Sequence, residues 1–245
     1  MKAIISTRFP KTPFKEGILR SSSLTDFSGV IALYEDVKSD VARVLKILEE
    51  KGLNYGRSGN VSVRIPDKGH IVITPSGFVK SALSPKDLLV IDIEGNVIEG
   101  DGSPTVETPL HLGIYREYEY FNAVIHAHTI YSSALAVARE SIPPIIEEMV
   151  LYIGGEVRVA DYAPFGSKEL AENAVKALRD RRAALLANHG VVACGRDLWE
   201  ALEVLEVVER VAHIYVLSKA LGRAFSIPRE VAEFQKTVFL AKLKR

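Results

Sequence analysis

Strand-like and helical patterns alternate along most of this chain, and this alternation restricts its fold more than any other feature. Val37, Val41, Leu45 and neighbouring apolar residues repeat at helical spacing, and short runs typical of strands follow. Glu94-Gly95-Asn96 is a turn signal, which predicts a hairpin. Interleaved strands and helices predict an α/β fold, and the hairpin argues against a purely parallel sheet.

The predicted elements can be placed by their periodicity and their caps. Ser167 is predicted to cap one helix, and Asp197 with Glu200 has the spacing of a capping box at the start of another. The predicted strands are Val61–Ile65, His70–Thr74, Leu88–Ile93, Val97–Ile98, Ala123–His128, Glu156–Ala160, Ala184–Asn188 and Val191–Cys194, and the main helices are Thr108–Tyr118, Ser132–Arg139, Ser167–Leu178 and Asp197–Leu221. Residues 1–33 have little periodicity and are predicted to form an N-terminal extension, which leaves 34–245 as one domain.

The composition narrows the class of protein. Of 245 residues, 47% are hydrophobic, which is enough for one well-filled core. Basic and acidic residues number 31 each, so no basic excess points to nucleic acid. No stretch approaches the ~18 apolar residues of a membrane-spanning helix, and the apolar segment near Met1 is too short for a signal peptide. We therefore expect a cytoplasmic protein. Its single cysteine, Cys194, excludes a cysteine-based zinc site.

His126 and His128 lie two residues apart at the end of a predicted strand. Residues i and i+2 of a strand point to the same face, so the two imidazoles could hold one metal ion. The pattern is short, and an accidental pair on a solvated strand is the alternative.

Two other residues favour a metal site. Glu107 precedes a predicted helix, and His189 precedes Gly190 in an Asn-His-Gly turn. Taken alone, Glu107 could be a carboxylate favoured by the helix dipole, and His189 an ordinary turn residue. His111 lies one helical turn after Glu107 and shares its face, so a supporting role at the site and a purely structural role are both open.

Five short blocks in order resemble the class II aldolase family of the fuculose-phosphate aldolase and ribulose-phosphate epimerase type. The blocks are Gly59-Asn-Val-Ser62, Thr74-Pro-Ser-Gly77, Glu107-x-x-x-His111, His126-x-His128 with Thr129, and Asn188-His-Gly190. The resemblance runs from about residue 34 to about residue 222. It implies a single three-layer α/β/α domain with a mixed central sheet, a catalytic divalent metal, usually zinc, and a cyclic homotetramer.

The resemblance also implies roles for individual residues. His126, His128 and His189 would be metal ligands, and Glu107 a fourth ligand that transfers a proton during turnover. The substrate phosphate would be bound by Asn60, Ser76, Gly77 and Thr105. Small residues let backbone N–H groups approach phosphate oxygens, although simple turns would show the same short motifs.

The chain departs from the fuculose-phosphate aldolase pattern in three places. Val106 stands where a second phosphate-binding hydroxyl is usual, and no tyrosine follows Tyr215, although the aldolase uses one near its C-terminus. Glu147-Glu148 follows Ile142-Pro143, where the aldolase has a catalytic tyrosine. Related epimerases and methylthioribulose-phosphate dehydratases use an acidic residue in this region, so Glu148 is a candidate catalytic residue. The alternative is the start of a solvated helix.

Three functions compete. A metal-dependent aldolase would cleave a ketose 1-phosphate into dihydroxyacetone phosphate and an aldehyde, with Glu148 or a tyrosine such as Tyr131 acting at the C4 hydroxyl. A sugar-phosphate epimerase or dehydratase would use the same metal and the acidic pair. A non-catalytic domain of the adducin-head type would lack the histidines. Glu107 favours the aldolase, since the epimerase typically carries Asp there, and the aldolase is the function we expect.

Overall fold

The computed structural model describes residues 27–243, which form seven α-helices and eight β-strands. The helices are α1 (Phe27–Glu50), α2 (Thr108–Glu117), α3 (Ile130–Ala138), α4 (Glu147–Ile153), α5 (Lys168–Leu178), α6 (Leu198–Ala220) and α7 (Arg229–Leu243). The strands are β1 (Asn60–Ile65), β2 (His70–Ile73), β3 (Leu89–Ile91), β4 (Val97–Glu99), β5 (Ala123–Ala127), β6 (Arg158–Ala160), β7 (Ala183–Leu186) and β8 (Gly190–Gly195). No helix in this range is both long enough and apolar enough to span a membrane.

All eight strands belong to one mixed sheet with the order β4-β3-β2-β1-β5-β8-β7-β6. The β6–β7 pair is parallel, and the other neighbouring strands are antiparallel. The hairpin predicted around Glu94-Gly95-Asn96 is confirmed as the β3–β4 pair. The mixed sheet also confirms the prediction that the strands are not all parallel.

Helices cover both faces of the sheet. Buried side chains of α1, α3, α4 and α6 form one apolar cluster with strand residues such as Ile125 and Ala193. Buried side chains of α2 and α5 form a second cluster with alternate strand residues such as Val124 and Val192. The α/β/α fold with a mixed central sheet is therefore confirmed, and side chains that alternate along β5 enter different layers.

The predicted helix caps are present. The Ser167 side chain accepts a hydrogen bond from Leu170 N at 3.1 Å, and Asp197 accepts one from Glu200 N at 2.8 Å. Each bond satisfies a backbone donor that has no partner within its own helix. The Glu200 carboxylate accepts from Arg196 N, one residue before the position expected in a capping box.

Some elements differ from the sequence prediction. Helix α1 begins at Phe27, inside the range predicted as an N-terminal extension, whereas residues 1–26 of that extension lie outside the described part of the chain. Helix α4 begins at Glu147, as in the alternative that made Glu147-Glu148 the start of a helix, and the C-terminal helix α7 was not predicted. The division at residue 34 stays a prediction.

Candidate metal centre

The residues singled out in the sequence meet at one end of the central strands β1, β5 and β8. His126 and His128 come from the end of β5, and His189 lies in the turn between β7 and β8. Asn60 begins β1 and pairs in register with His126, while Glu107 lies at the start of α2. Antiparallel pairing brings the end of one strand beside the start of the next, so residues distant in sequence meet here.

Glu107 and the three histidines converge on one point. One ligand atom from each residue lies within 4.8 Å of the others. The Nε2 atoms of His126 and His128 are 2.9 Å apart. Glu107 Oε2 lies 3.1 Å from His126 Nε2, and Glu107 Oε1 lies 3.3 Å from His189 Nε2. The metal ligands predicted from the sequence are therefore brought together.

The donor set fits a divalent metal. His126 Nδ1 donates to the carbonyl oxygen of Val191 at 3.0 Å, which leaves the lone pair of Nε2 facing His128 and Glu107. Glu107 Oε1 is buried and has no hydrogen-bond partner within residues 27–243. Such an atom costs free energy unless another group satisfies it, and a cation would do so. Three imidazoles and one carboxylate suit zinc or a similar transition metal.

The protonation states favour metal binding as well. Burial, with the neighbouring histidines, lowers the pKa of His128 to about 4, and burial with His126 lowers the pKa of His189 to about 4. Burial opposes ionisation of Glu107, but His126, His189 and the Asn60 amide overcome it and hold the pKa of Glu107 below its ordinary value. At neutral pH His128 and His189 are thus neutral imidazoles and Glu107 is a carboxylate, the forms that coordinate metals.

Two glycines shape the centre. Gly59 has a φ of +68°, and a Cβ there would lie 2.7 Å from the His126 carbonyl oxygen. A Cβ at Gly190 would lie 2.4 Å from the Ala127 carbonyl oxygen and 3.0 Å from the His128 ring. Side chains at these positions would push apart the strands that carry the ligands.

The predicted phosphate-binding residues lie at the same end of the sheet as Glu107. Asn60 is buried and donates from Nδ2 to Glu107 Oε2 at 2.8 Å. The segment that contains Ser76 and Gly77 is held against the segment before Glu107, because Ser76 N donates to Ser103 O at 2.9 Å and Thr105 N donates to Thr74 O at 3.1 Å. The fold thus places Asn60, Ser76, Gly77 and Thr105 in segments that adjoin Glu107.

Lys80 is a further residue of this region that the sequence did not reveal. Only 3% of it is exposed, and its ammonium donates to the Pro75 carbonyl oxygen at 3.0 Å. It therefore supports the turn that holds Ser76 and Gly77. A lone lysine in a polar segment carries no signal of burial, since most lysines are exposed.

Glu148 is not brought to the metal centre within the chain. It lies on α4, whose buried residues pack on the face of the sheet opposite to α2. Its carboxylate is half-exposed and lies 2.6 Å from the Arg210 guanidinium. Tyr131, the other candidate for action at the C4 hydroxyl, stacks on His213 with ring centroids 3.8 Å apart.

Comparison with known proteins places the chain in a family. Residues 39–216 match the class II aldolase and adducin N-terminal domain family. A 5-deoxy-D-ribulose 1-phosphate aldolase of Bacillus thuringiensis serovar kurstaki is 33% identical over 82% of this chain and 94% of that protein. An L-fuculose phosphate aldolase of Methanococcus maripaludis is 35% identical over 75% of this chain and 98% of that protein. A solved L-fuculose 1-phosphate aldolase superposes with a TM-score of 0.80 at 42% identity, and the match covers 83% of this chain and 96% of that one.

The chain belongs to the class II aldolase and adducin N-terminal domain family. The family resemblance recognised in the sequence is thereby confirmed, and the structural likeness to an aldolase confirms the fold.

Proposed function

We propose that this protein is a metal-dependent aldolase that cleaves a ketose 1-phosphate into dihydroxyacetone phosphate and an aldehyde. The observation that carries the proposal is the convergence of Glu107, His126, His128 and His189 within 4.8 Å, in a chain of the class II aldolase family. The non-catalytic domains of the adducin-head type, named above as an alternative, lack these histidines, whereas this chain has all three.

The four side chains would hold a divalent metal, for which zinc is the first candidate. A metal bound there supplies Lewis-acid polarisation of a carbonyl group, worth several kcal/mol of charge stabilisation. Glu107 supplies the proton transfer. In the direction of condensation, its carboxylate removes a proton from the hydroxymethyl carbon of dihydroxyacetone phosphate, and that carbon then forms the new bond to the aldehyde. In cleavage the C4 hydroxyl gives up its proton to water as the carbon–carbon bond breaks, its oxygen becomes the aldehyde oxygen, and Glu107 returns a proton to the carbon of dihydroxyacetone phosphate. In condensation the new C4 alkoxide takes a proton from water.

The phosphate would be bound by the segments that adjoin Glu107. Ser76 and Thr105 supply hydroxyl groups, and the space beside Gly77 is open, since no atom lies within 4 Å of the position that a Cβ would take. The Asn60 amide already binds Glu107, so its contribution to phosphate binding would come from its remaining N–H or from the backbone.

The relatives favour the aldolase over an epimerase or a dehydratase. Those compared above are described as aldolases, acting on fuculose phosphate or on 5-deoxyribulose 1-phosphate. Both compounds are ketose phosphates. We propose a substrate of this class, with the aldehyde portion set by residues outside the metal centre.

We also propose a homo-oligomer, with the cyclic tetramer as the first candidate. Large apolar side chains are exposed in the described range at Phe78, Ile130, Val137 and Phe165. Exposed apolar residues of this size support a protein interface. A catalytic role for Glu148 would require such an assembly, because only a neighbouring subunit could bring it to the metal centre.

The reaction can be tested with purified, zinc-loaded protein. L-Fuculose 1-phosphate and 5-deoxy-D-ribulose 1-phosphate are supplied separately, and dihydroxyacetone phosphate is measured through a coupled NADH-dependent reductase. We expect release of dihydroxyacetone phosphate from at least one of them. Isomerised or dehydrated product without dihydroxyacetone phosphate would instead support an epimerase or a dehydratase.

Glu107→Gln tests the proposed proton transfer. Glutamine fits the space but cannot act as a base, so we expect turnover to fall roughly 10²–10⁴-fold while zinc stays bound. Glu233→Gln on the exposed side of α7 is the matched control and should keep full activity. Wild-type turnover in Glu107→Gln would remove Glu107 from the mechanism.

A further inference from the structure

A row of buried polar side chains lies behind Glu107 and leads away from the metal centre. Tyr115 Oη is 2.8 Å from Ser62 Oγ, which is 2.6 Å from His111 Nδ1. His111 Nε2 is 2.5 Å from Asn60 Oδ1, and Asn60 Nδ2 is 2.8 Å from Glu107 Oε2. Each member of the row is buried. The row therefore connects the carboxylate to the core without passing through solvent.

The position of each proton in the row can be assigned one residue at a time, starting from the Glu107 carboxylate. The carboxylate only accepts hydrogen bonds, so the Asn60 amide must face it with its NH₂ group, and Asn60 Oδ1 then faces His111. An amide oxygen also only accepts, so His111 carries its proton on Nε2. Nδ1 then accepts from the Ser62 hydroxyl, and the Tyr115 hydroxyl donates to Ser62 Oγ or to the Ser62 carbonyl oxygen 3.0 Å away.

The donors of Ser62, His111 and Asn60 thus all point toward Glu107. Hydrogen bonds that share one direction polarise and strengthen one another. The row holds Oε2 of the carboxylate, and it leaves Oε1 free to face His189 and the space where a metal would bind.

The Asn60 amide alone cannot define this arrangement. Rotating the amide by 180° exchanges its oxygen and nitrogen with almost no change in shape, and it would set the amide oxygen against the Glu107 carboxylate. His111 with a proton on Nε2 excludes that rotation, because it needs an acceptor at the position of Asn60 Oδ1.

We propose that His111 is a positioning residue, which fixes the orientation of the Asn60 amide and, through it, the carboxylate of Glu107. The proposal rests on the proposed function in that Glu107 is taken to bind the metal and to transfer the proton. It assigns His111 a role through Asn60, without contact with metal or substrate.

The test compares His111→Leu with His111→Gln. Leucine removes the donor to Asn60, whereas glutamine can still donate to Asn60 Oδ1 and accept from Ser62. Zinc affinity is measured by competition with a chromophoric chelator, and kcat and KM with the best ketose 1-phosphate. Thermal unfolding and light scattering confirm that both variants are folded and assembled.

We expect His111→Leu to weaken zinc binding, lower kcat, or both, by about 10- to 100-fold, the usual effect of losing a group that orients a metal ligand. KM should change by less than about threefold, and His111→Gln should recover most of the loss. Equal behaviour of the two variants would overturn the proposal, as would a change confined to KM or to the melting temperature.

A second measurement applies even where His111→Leu does not fold. Metal-free wild-type protein labelled with ¹⁵N-histidine reports the tautomer of each neutral imidazole. We expect the His111 proton on Nε2, and a proton on Nδ1 would overturn the proposal. A protein with no aldolase activity but with the expected tautomer and zinc affinities would refute the proposed function while leaving the positioning role intact.

Discussion

Lowering the pH should destabilise the metal-free protein, and His111 should account for a defined part of the loss. Burial lowers the pKa of His111 to about 3, below the ordinary value of about 6.5 that it regains on unfolding. The native state therefore binds fewer protons than the unfolded state between these values. The stability that His111 contributes is complete above about pH 6.5 and is lost as the pH falls toward 3.

The size of the effect follows from linkage. Between pH 7 and pH 5 the unfolded chain becomes protonated at this histidine while the native protein does not, which costs about 2 kcal/mol of unfolding free energy. His128 and His189 have lowered pKa values as well and add losses of their own over the same range.

His111→Gln isolates the contribution of one residue. Glutamine does not titrate, whereas the other histidines are the same in both proteins. Urea unfolding at equal protein concentration, with excess chelator, is measured at pH 7 and pH 5. We expect the wild type to lose about 2 kcal/mol more than the variant over this interval. Equal losses would show that His111 takes up a proton in the folded protein, and the reasoning from its burial would fail.

Two further changes test how the centre is built. Gly190→Ala places a Cβ 2.4 Å from the Ala127 carbonyl oxygen, so we expect zinc affinity, measured by chelator competition, to fall about 10-fold or more; unchanged affinity would refute the close approach. Glu209→Gln removes a carboxylate that accepts from Tyr131 N at 2.8 Å and Ser132 N at 2.9 Å at the start of α3. The substitution should lower the free energy of unfolding, measured in urea, by about 1–2 kcal/mol. If Glu209→Gln causes no loss in a Ser132→Ala background, the effect comes from the Ser132 hydroxyl and the role of the backbone contacts is contradicted.

The strongest periodic patterns predicted the fold well. Helices α2, α5 and α6 lie within a residue or so of their predicted limits, since caps such as Ser167 and Asp197 mark where they begin. Helix α4 has seven residues, too few for a period to stand out. Helix α7 buries Gln235, Phe239 and Leu243 at intervals of four, but one of these three residues is polar, and two of the larger apolar residues of the helix, Phe234 and Leu240, are exposed.

The metal centre was more predictable than its surroundings. His126 and His128 are close in sequence, so strand geometry alone predicts that they share a face. The contact between Asn60 and His111 joins β1 to α2, and no local pattern contains it. The position of Glu148 depends on which face of the sheet α4 covers, and a short sequence motif carries no information about that.

The four converging side chains come from separate parts of the chain, so binding of the proposed metal would couple the stability of the protein to metal supply. Only the His126–His128 pair is present before β5, β8 and α2 have packed, so an unfolded chain offers a metal far fewer ligands than the native protein. Mass action then works in favour of the folded state: free metal at 100 times its dissociation constant adds about 2.7 kcal/mol. When metal is scarce, the same chain unfolds more often, and proteases gain access to it first in the copies that have no metal to bind.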